Sequence, residues 1–336
     1  MKVLLTSILC QSGLMTHVHD LLQYLRRHSI PAAAAFRKSD YATPEEAAAL
    51  KERLAGVEIW EYGEDEELLE IAEAAQCDLL HAHSYLTLNA ACAASRRLGI
   101  PFIITLHSVY LWGLAYAEPL VQAERIIAVG PAQARFVGPW RKKMVIIPNG
   151  IDLDVFRPGT DEEGGEGDEI TVLWYGRVNG RLSRGLRSLD EAAPKLPSFV
   201  QVKAVGQADI QLKNIPQVGW VEDPVRELQA SHIAFAHGRS LREAMACGSI
   251  GMLLGHGYGG MVTRERLKAL DYAVDALPQY HLPRATPEVL LRDVLNVVNS
   301  GKLAELRAKA RSIAEEFFDL EDMGRRTLDV YAAALS

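Results

Sequence analysis

The sequence predicts an α/β protein of two domains, each built on a parallel sheet with helices on both faces. Three observations carry that expectation. Short apolar runs alternate with amphipathic segments along nearly the whole chain, the mark of buried parallel strands joined by crossover helices. The alternation stops once, at Asp161 to Glu169 (DEEGGEGDE), an acidic, glycine-rich stretch without large apolar residues that reads as a surface linker, and then starts afresh. Finally, 336 residues are too many for one ordinary domain and enough for two, each with a core of its own.

Taken in order, the run Val3 to Leu9 is strand-like, and after the turn Cys10-Gln11-Ser12-Gly13 the apolar positions Val18, Leu21, Leu22 and Leu25 recur at helical spacing. Pro31 to Phe36 is the next strand. Thr43-Pro44-Glu45-Glu46 then offers an N-cap, a proline at the first helical position and a capping-box glutamate for a helix from Ala47 to Leu54. Strands follow at Val57 to Trp60, Cys77 to His81, Pro101 to Leu106, Arg125 to Val129 and Met144 to Ile147, with a helix around Leu88 to Arg97. Beyond the linker the strand-like runs are Ile170 to Tyr175, Val200 to Val205, His232 to Phe235 and Ile250 to Leu254. Helices are expected from Gly185 to Leu196, near Pro224 to Ala230 and around Glu243. A second capping pattern at Thr286-Pro287-Glu288, apolar periodicity from Leu303 to Phe318 and a last segment from Leu320 to Leu335 complete the chain. The expected division is 1–150, 151–318 and a terminal helix at 319–336.

Composition narrows the function. The chain is 49% hydrophobic and 24% charged, an ordinary globular balance, and its formal net charge of -7 removes the general phosphate attraction that nucleic-acid binding needs. The basic clusters Arg26-Arg27, Arg96-Arg97 and Arg141-Lys142-Lys143 read as solvated helix ends, which leaves only weak support for a membrane surface. Cys10, Cys77, Cys92 and Cys247 form neither a C-x-x-C pair nor a disulfide framework, so a reducing cytoplasm is expected. The Val3 to Leu9 run is too short to span a bilayer and lacks a small-residue cleavage site.

Several positions can carry chemistry. Gly13 stands where a strand hands over to a helix, so backbone N–H groups and the positive helix end are offered to an anion there. No complete G-x-G-x-x-G or P-loop pattern occurs. His81-Ala82-His83 closes one strand and His107 closes the next, at the carboxyl ends where parallel sheets bind ligands. A metal is conceivable at these histidines, but no carboxylate partner is evident. His107 is read as a sugar contact and the pair as structural. Asp152-Leu153-Asp154 has the form of a cation-holding D-x-D, yet its setting after Pro148-Asn149-Gly150 reads as a hinge. Arg177 ends the first strand of the second half and Arg184 opens the next helix, so this pair is read as a diphosphate clamp or as two solvated cations. Ser240 is a candidate N-cap. Glu243 either supports a helix from its first turn or accepts ribose hydroxyls.

In order, the segments that matter are the Gly13 loop, His81-Ala82-His83-Ser84, Thr105-Leu106-His107, Ile147-Pro148-Asn149-Gly150-Ile151-Asp152, Gly176-Arg177, Gly219-Trp220-Val221 and Glu243-Ala244-Met245-Ala246-Cys247-Gly248. This ordered set resembles family 4 of the retaining GT-B glycosyltransferases over nearly the whole chain. The resemblance implies two Rossmann-like domains facing across a cleft, with the C-terminal helix crossing back to the acceptor-binding N-terminal domain. It implies donor contacts from Gly13, Arg177, Arg184, Gly206, Glu243, Gly259 and Gly260, with His107, Arg177 and Arg184 as the catalytic set. It further implies a nucleotide-diphosphate sugar as donor substrate, a small-molecule, glycan or lipid-linked acceptor, and neither metal nor cofactor. Three departures accompany it. Phe235 stands eight residues before Glu243, so the first of the family's two glutamates is missing. Arg184 replaces a lysine and comes late. The loop Tyr258 to Thr263 keeps a glycine pair behind an unusual Gly255-His256-Gly257. The rival readings are a non-hydrolysing sugar-nucleotide epimerase, separable by product analysis, and a non-catalytic protein that binds a sugar nucleotide or a partner.

Overall fold

The computed structural model describes residues 1–10, 12–159, 169–219, 221, 223–269 and 271–336, with Phe136 described in its backbone only. Gln11, Trp220 and all of the acidic linker except Glu169 lie outside these residues. The chain forms two compact units, Met1–Gly150 with Leu320–Ser336, and Ile151–Asp319.

The first unit holds seven strands, β1 (Val3–Ile8), β2 (Ala32–Arg37), β3 (Glu58–Tyr62), β4 (Leu79–Ala82), β5 (Phe102–Leu106), β6 (Arg125–Ala128) and β7 (Met144–Ile146). All are parallel, in the order β3-β2-β1-β4-β5-β6-β7. Its helices are α1 (Gly13–Arg27), α2 (Pro44–Glu52), α3 (Glu67–Ala75), α4 (Leu88–Leu98), α5 (Trp112–Ala115) and α6 (Ala117–Gln122). Alternate residues of β1 feed opposite faces of the sheet. Val3 and Leu5 join a core with Val18, Leu21, Leu22 and Leu25 of α1, whereas Leu4 packs with Leu68 of α3 and with Leu88 and Ala91 of α4. The capping box forms as expected, with Thr43 Oγ1 accepting the Glu46 N–H at 3.2 Å and Glu46 returning to the Thr43 N–H at 2.9 Å. Helix α3 escaped the sequence reading, although Leu68, Ile71, Ala72 and Ala75 have the spacing of a buried helical face.

The second unit holds β8 (Ile170–Val178), β9 (Val200–Ala208), β10 (Gln217–Gly219), β11 (Ile233–Ala236), β12 (Ile250–Leu254) and β13 (Tyr258–Met261), in the order β10-β9-β8-β11-β12-β13. Its helices are α7 (Ser183–Ala192), α8 (Val225–Gln229), α9 (Gly238–Ala246), α10 (Arg264–Leu267), α11 (Pro287–Val298) and α12 (Leu303–Phe317). Tyr258 to Thr263, read from sequence as a loop, is mostly strand, and β13 runs antiparallel to β12. The run is short and carries two glycines, so it lacked the apolar signal of a strand. Thr286 caps α11 through the Val289 N–H.

Two of the expected donor-site glycine positions have packing causes within this unit. Gly206 and Gly176 sit opposite each other in the β8–β9 ladder, both at positive φ (121° and 143°). A Cβ on Gly206 would overlap the Gly176 carbonyl, so the close backbone approach itself requires glycine there. Gly260, at φ 69°, lies against the Arg266 guanidinium, which donates to the Gly259 carbonyl oxygen.

The last helix, α13 (Leu320–Leu335), belongs to the first unit. Its Tyr331 is buried beside His81, Gly324 lies directly against the ring of Tyr24 on α1, and Arg326 donates to the Ile146 carbonyl at 2.6 Å.

Candidate functional site

A parallel sheet built outward from its first strand sends its crossover helices to opposite faces, and where the order reverses a crevice opens beyond the carboxyl ends of the strands. In the first unit that reversal falls between β1 and β4, and in the second between β8 and β11. Gly13, His83 and His107 stand at the first of these places and Arg177, Arg184 and Glu243 at the second, whereas Gly259 and Gly260 lie on β13, at the edge of the sheet.

At the first reversal, α1 opens with an uncapped turn. Ser12 occupies the N-cap in extended conformation without a side-chain bond to the helix. Open space surrounds the position where Gly13 would carry a Cβ, so an anion can reach the backbone N–H groups. One helical turn further on, His17 meets His83 and His107, which follow β4 and β5. The His83 Nδ1 and His107 Nε2 are 3.2 Å apart, the His17 and His107 rings meet edge-on at 4.7 Å, and His17 Nδ1 pairs with Asn149 Oδ1 at 2.9 Å. His81 differs from these three. Both its nitrogens are spent, on the Tyr331 hydroxyl and Thr105 Oγ1 at 2.7 Å each, so its role is structural as read from sequence. His83 departs from that reading, because it turns to His107 and its buried Nε2 has no hydrogen-bond partner among the described residues. Burial, reinforced by neighbouring imidazoles, holds the protonation of His81, His83 and His107 well below the usual histidine range. His17 was missed by sequence reasoning. Its signal was a polar residue four positions after Gly13, on the helix face that carries Leu21 toward the core.

Beside this cluster, beyond the ends of β2 and β4, lies a cavity of about 540 Å³ lined by Arg37, Lys38, Tyr41, Tyr85, Asn89 and Tyr116, among others. The Tyr41 and Tyr85 hydroxyls bond at 2.8 Å, and Arg37 is held by Asp65 at 2.5 Å and by the Leu86 carbonyl at 2.9 Å.

At the second reversal, Arg177 lies near the end of β8 and Arg184 in the first turn of α7, both exposed. The loop joining them is pinned by Asp209, which accepts from the Gly180 N–H at 2.6 Å and from the Ser183 hydroxyl. Across the reversal, β11 passes into α9 through His237 alone. His237, not Ser240, is the N-cap, and Ser240 lies inside the helix. Glu243 therefore sits in the second turn, away from the helix end, which removes the first-turn dipole role considered for it. Its carboxylate accepts from the Tyr175 hydroxyl at 2.8 Å and from Arg239 Nε at 2.6 Å. Burial, with Glu243 alongside, pushes the Tyr175 phenol upward. Asp152 uses Oδ1 to accept the N–H groups of Asp154 and Val155 at 3.1 and 3.3 Å, closing a local turn at the start of the unit.

Residues 11–155 match Glycosyltransferase Family 4. Two relatives, both D-inositol 3-phosphate glycosyltransferases, are similar in sequence. The Nocardiopsis dassonvillei protein is 28% identical over 200 residues, covering 50% of this chain and 46% of the relative. The Xylanimonas cellulosilytica protein is 25% identical over 312 residues, 76% of this chain and 72% of the relative. The chain thus spans about half the length of the first. Among solved structures, Anabaena HepE in complex with UDP-glucose superposes with a TM-score of 0.74 at 16% identity, covering 99% of this chain and 100% of that one. Residues 11–155 thus resemble the family 4 glycosyltransferases, and the chain has the GT-B fold.

Within this GT-B frame, the absent first glutamate has a structural counterpart. Phe235 is fully buried in β11, and the single-residue passage into α9 leaves little loop in which a second acidic side chain could stand. Among the described residues no helix is long and apolar enough to cross a membrane.

Two outcomes follow from the hydrogen-bonding and burial. Glu243→Ala removes an acceptor from Tyr175 and Arg239, so the ligand-free protein should lose about 1–3 kcal/mol of stability. Denaturant titration measures it, and an unchanged midpoint would mean that the carboxylate is held for ligand alone. His81, His83 and His107 are neutral when folded and take up protons when unfolded. Their stabilisation is complete above the ordinary histidine pKa of 6.5 and declines as pH falls below it. Each contributes a slope of about 1.4 kcal/mol per pH unit. Melting temperatures recorded between about pH 7.5 and 5 should drop steeply on the acid side, and a flat profile would contradict the buried neutral cluster.

Proposed function

We propose that the protein transfers a sugar from a nucleotide-diphosphate sugar to an acceptor with retention of anomeric configuration, without a divalent ion. The observation that carries the proposal is the pair of strand-order reversals, one presenting the open α1 N-terminus and His107, the other Arg177 and Arg184. The two guanidinium groups supply positive charge for a diphosphate, the charge that grows as the glycosidic bond breaks, and within the first unit the uncapped N–H groups offer the same to an anion. Cleavage of that bond leaves oxocarbenium character at the anomeric carbon. The departing phosphate oxygen then accepts the acceptor's proton as its oxygen attacks from the same face. His107, neutral through burial, accepts or donates a hydrogen bond to the sugar without adding charge.

Glu243 is proposed to read the ribose by exchanging its Tyr175 and Arg239 partners for hydroxyls. Gly259 and Gly260 complete the donor contacts through backbone. HepE, named with UDP-glucose, makes uridine sugars the first donors to assay. The 540 Å³ cavity, with tyrosines for sugar faces and Lys38, Asp40 and Asn89 for hydroxyls, suits a polyhydroxylated acceptor. The D-inositol 3-phosphate named for both relatives has that chemistry. Four buried free cysteines favour a reducing, cytoplasmic setting, and no cofactor besides the donor substrate is invoked.

Transfer should continue in EDTA, because the arginines occupy the role that a cation would fill. Loss of turnover that Mg²⁺ or Mn²⁺ restores would overturn the metal-free reading. The anomeric configuration of the product, read by NMR, tests retention, and product formed without acceptor would point to epimerisation. Arg177→Ala should lower turnover on the order of 10²–10³-fold with the fold intact, as loss of one preorganised charge stabiliser does. Lysine should restore part of it, and an unchanged rate would place Arg177 outside the reaction.

A further inference from the structure

We propose that the first unit binds one d-block divalent ion, of the zinc, cobalt or nickel class, through His17, His83 and His107, an ion that transfer itself does not use and that shares His107 with the proposed sugar contact. Each histidine offers one ring nitrogen, and the three nitrogens lie within 4.8 Å of one another. They come from three separate elements, α1 and the segments after β4 and β5, so the sheet itself holds the spacing. A tetrahedral zinc ion with nitrogens at about 2.0–2.1 Å keeps its ligand atoms about 3.3 Å apart. The His83–His107 nitrogen pair already stands at 3.2 Å.

The surroundings favour this class of ion. Asn149 Oδ1 accepts from His17 Nδ1, which fixes the tautomer and leaves the lone pair on the other ring nitrogen, the arrangement by which metal-binding imidazoles are oriented. His83 turns its Nδ1 to His107 Nε2, so the two ring nitrogens that would bind an ion already face one another. Three imidazoles without a carboxylate suit zinc, nickel or copper-like ions and not magnesium or calcium, which take oxygen ligands. Three protein ligands leave a fourth position open. An ion held there occupies His107, so where His107 contacts the donor sugar, the ion inhibits transfer. That consequence rests on the proposed function, whereas ion binding does not.

The test uses the full chain stripped of metal and no sugar substrates. Calorimetric titration with Zn²⁺ should show one equivalent bound, and Co²⁺ should give the visible absorption of a tetrahedral nitrogen site. His17→Gln and His83→Gln should each abolish the Co²⁺ spectrum, and Asn149→Ala should weaken affinity about 10–100-fold with the stoichiometry kept. Wild-type protein that binds no Zn²⁺, or binds it equally after both histidine substitutions, overturns the proposal. Circular dichroism identifies a variant that fails to fold, and the wild-type Co²⁺ spectrum then decides alone. A protein that binds the ion but transfers no sugar leaves this site standing and removes only the transferase reading.

Discussion

When a parallel sheet grows in both directions from its first strand, the next crossover helix on each side packs on the opposite face. The two helices diverge, and nothing in the fold fills the space beyond the strand ends between them. In the first unit α1 packs with the core on one face and α4 with the core on the other. The second unit repeats this, with Leu186 and Leu189 of α7 on one face and Leu241 and Met245 of α9 on the other. Polar side chains at the strand ends therefore have somewhere to point. Elsewhere along these strands the same side chains would be buried in alternating apolar layers at a cost of several kcal/mol unless fully paired.

The two crevices meet that constraint by different electrostatic means. In the first, charge is avoided. Imidazoles packed against one another and against Tyr331 are held neutral by burial, so they can occupy the dense end of a sheet and still offer hydrogen bonds. In the second, charge is kept at the rim, with Arg177 and Arg184 exposed. Glu243, whose carboxylate goes inward, is compensated by Arg239 and Tyr175. A buried carboxylate held by a cation and a phenol is already oriented before any ligand arrives, which reduces the ordering that binding would otherwise require.

Much of this was legible in the sequence because parallel strands buried on both faces leave an apolar signal that local context cannot hide. The runs read as Val3 to Leu9, Pro101 to Leu106 and Ile250 to Leu254 are strands to within one residue at either end. What sequence reasoning lost was set by tertiary neighbours. Tyr258 to Met261 is a strand because Met252 to Leu254 offers it an edge, and its glycines conceal that pairing. His17 joins the site through the rotation of α1 against β4 and β5, a relation between segments about 65 and 90 residues apart that no local pattern records. Ser240 looked like a cap because serine so often is one, but the chain leaves β11 too abruptly for the helix to start that late.

The glycines show how packing and ligand arguments can be confused when only a sequence is in hand. Gly13, Gly206, Gly259 and Gly260 are equal candidates for letting a ligand approach the backbone. The structure separates them by what a methyl group would meet. At Gly13 it would meet open space, so steric demand from the protein does not account for glycine, and the residue leaves the first turn of α1 accessible. At Gly206 it would meet the backbone of the neighbouring strand, and at Gly260 the Arg266 side chain, so each glycine is already required by the fold of its own unit. An alanine at Gly206 would thus disturb the β8–β9 ladder immediately before Arg177, and any loss of activity would report on the position of that arginine as well as on space for a donor. Of the four, Gly13 alone offers a substitution whose effect on an anion can be read without first repairing the sheet.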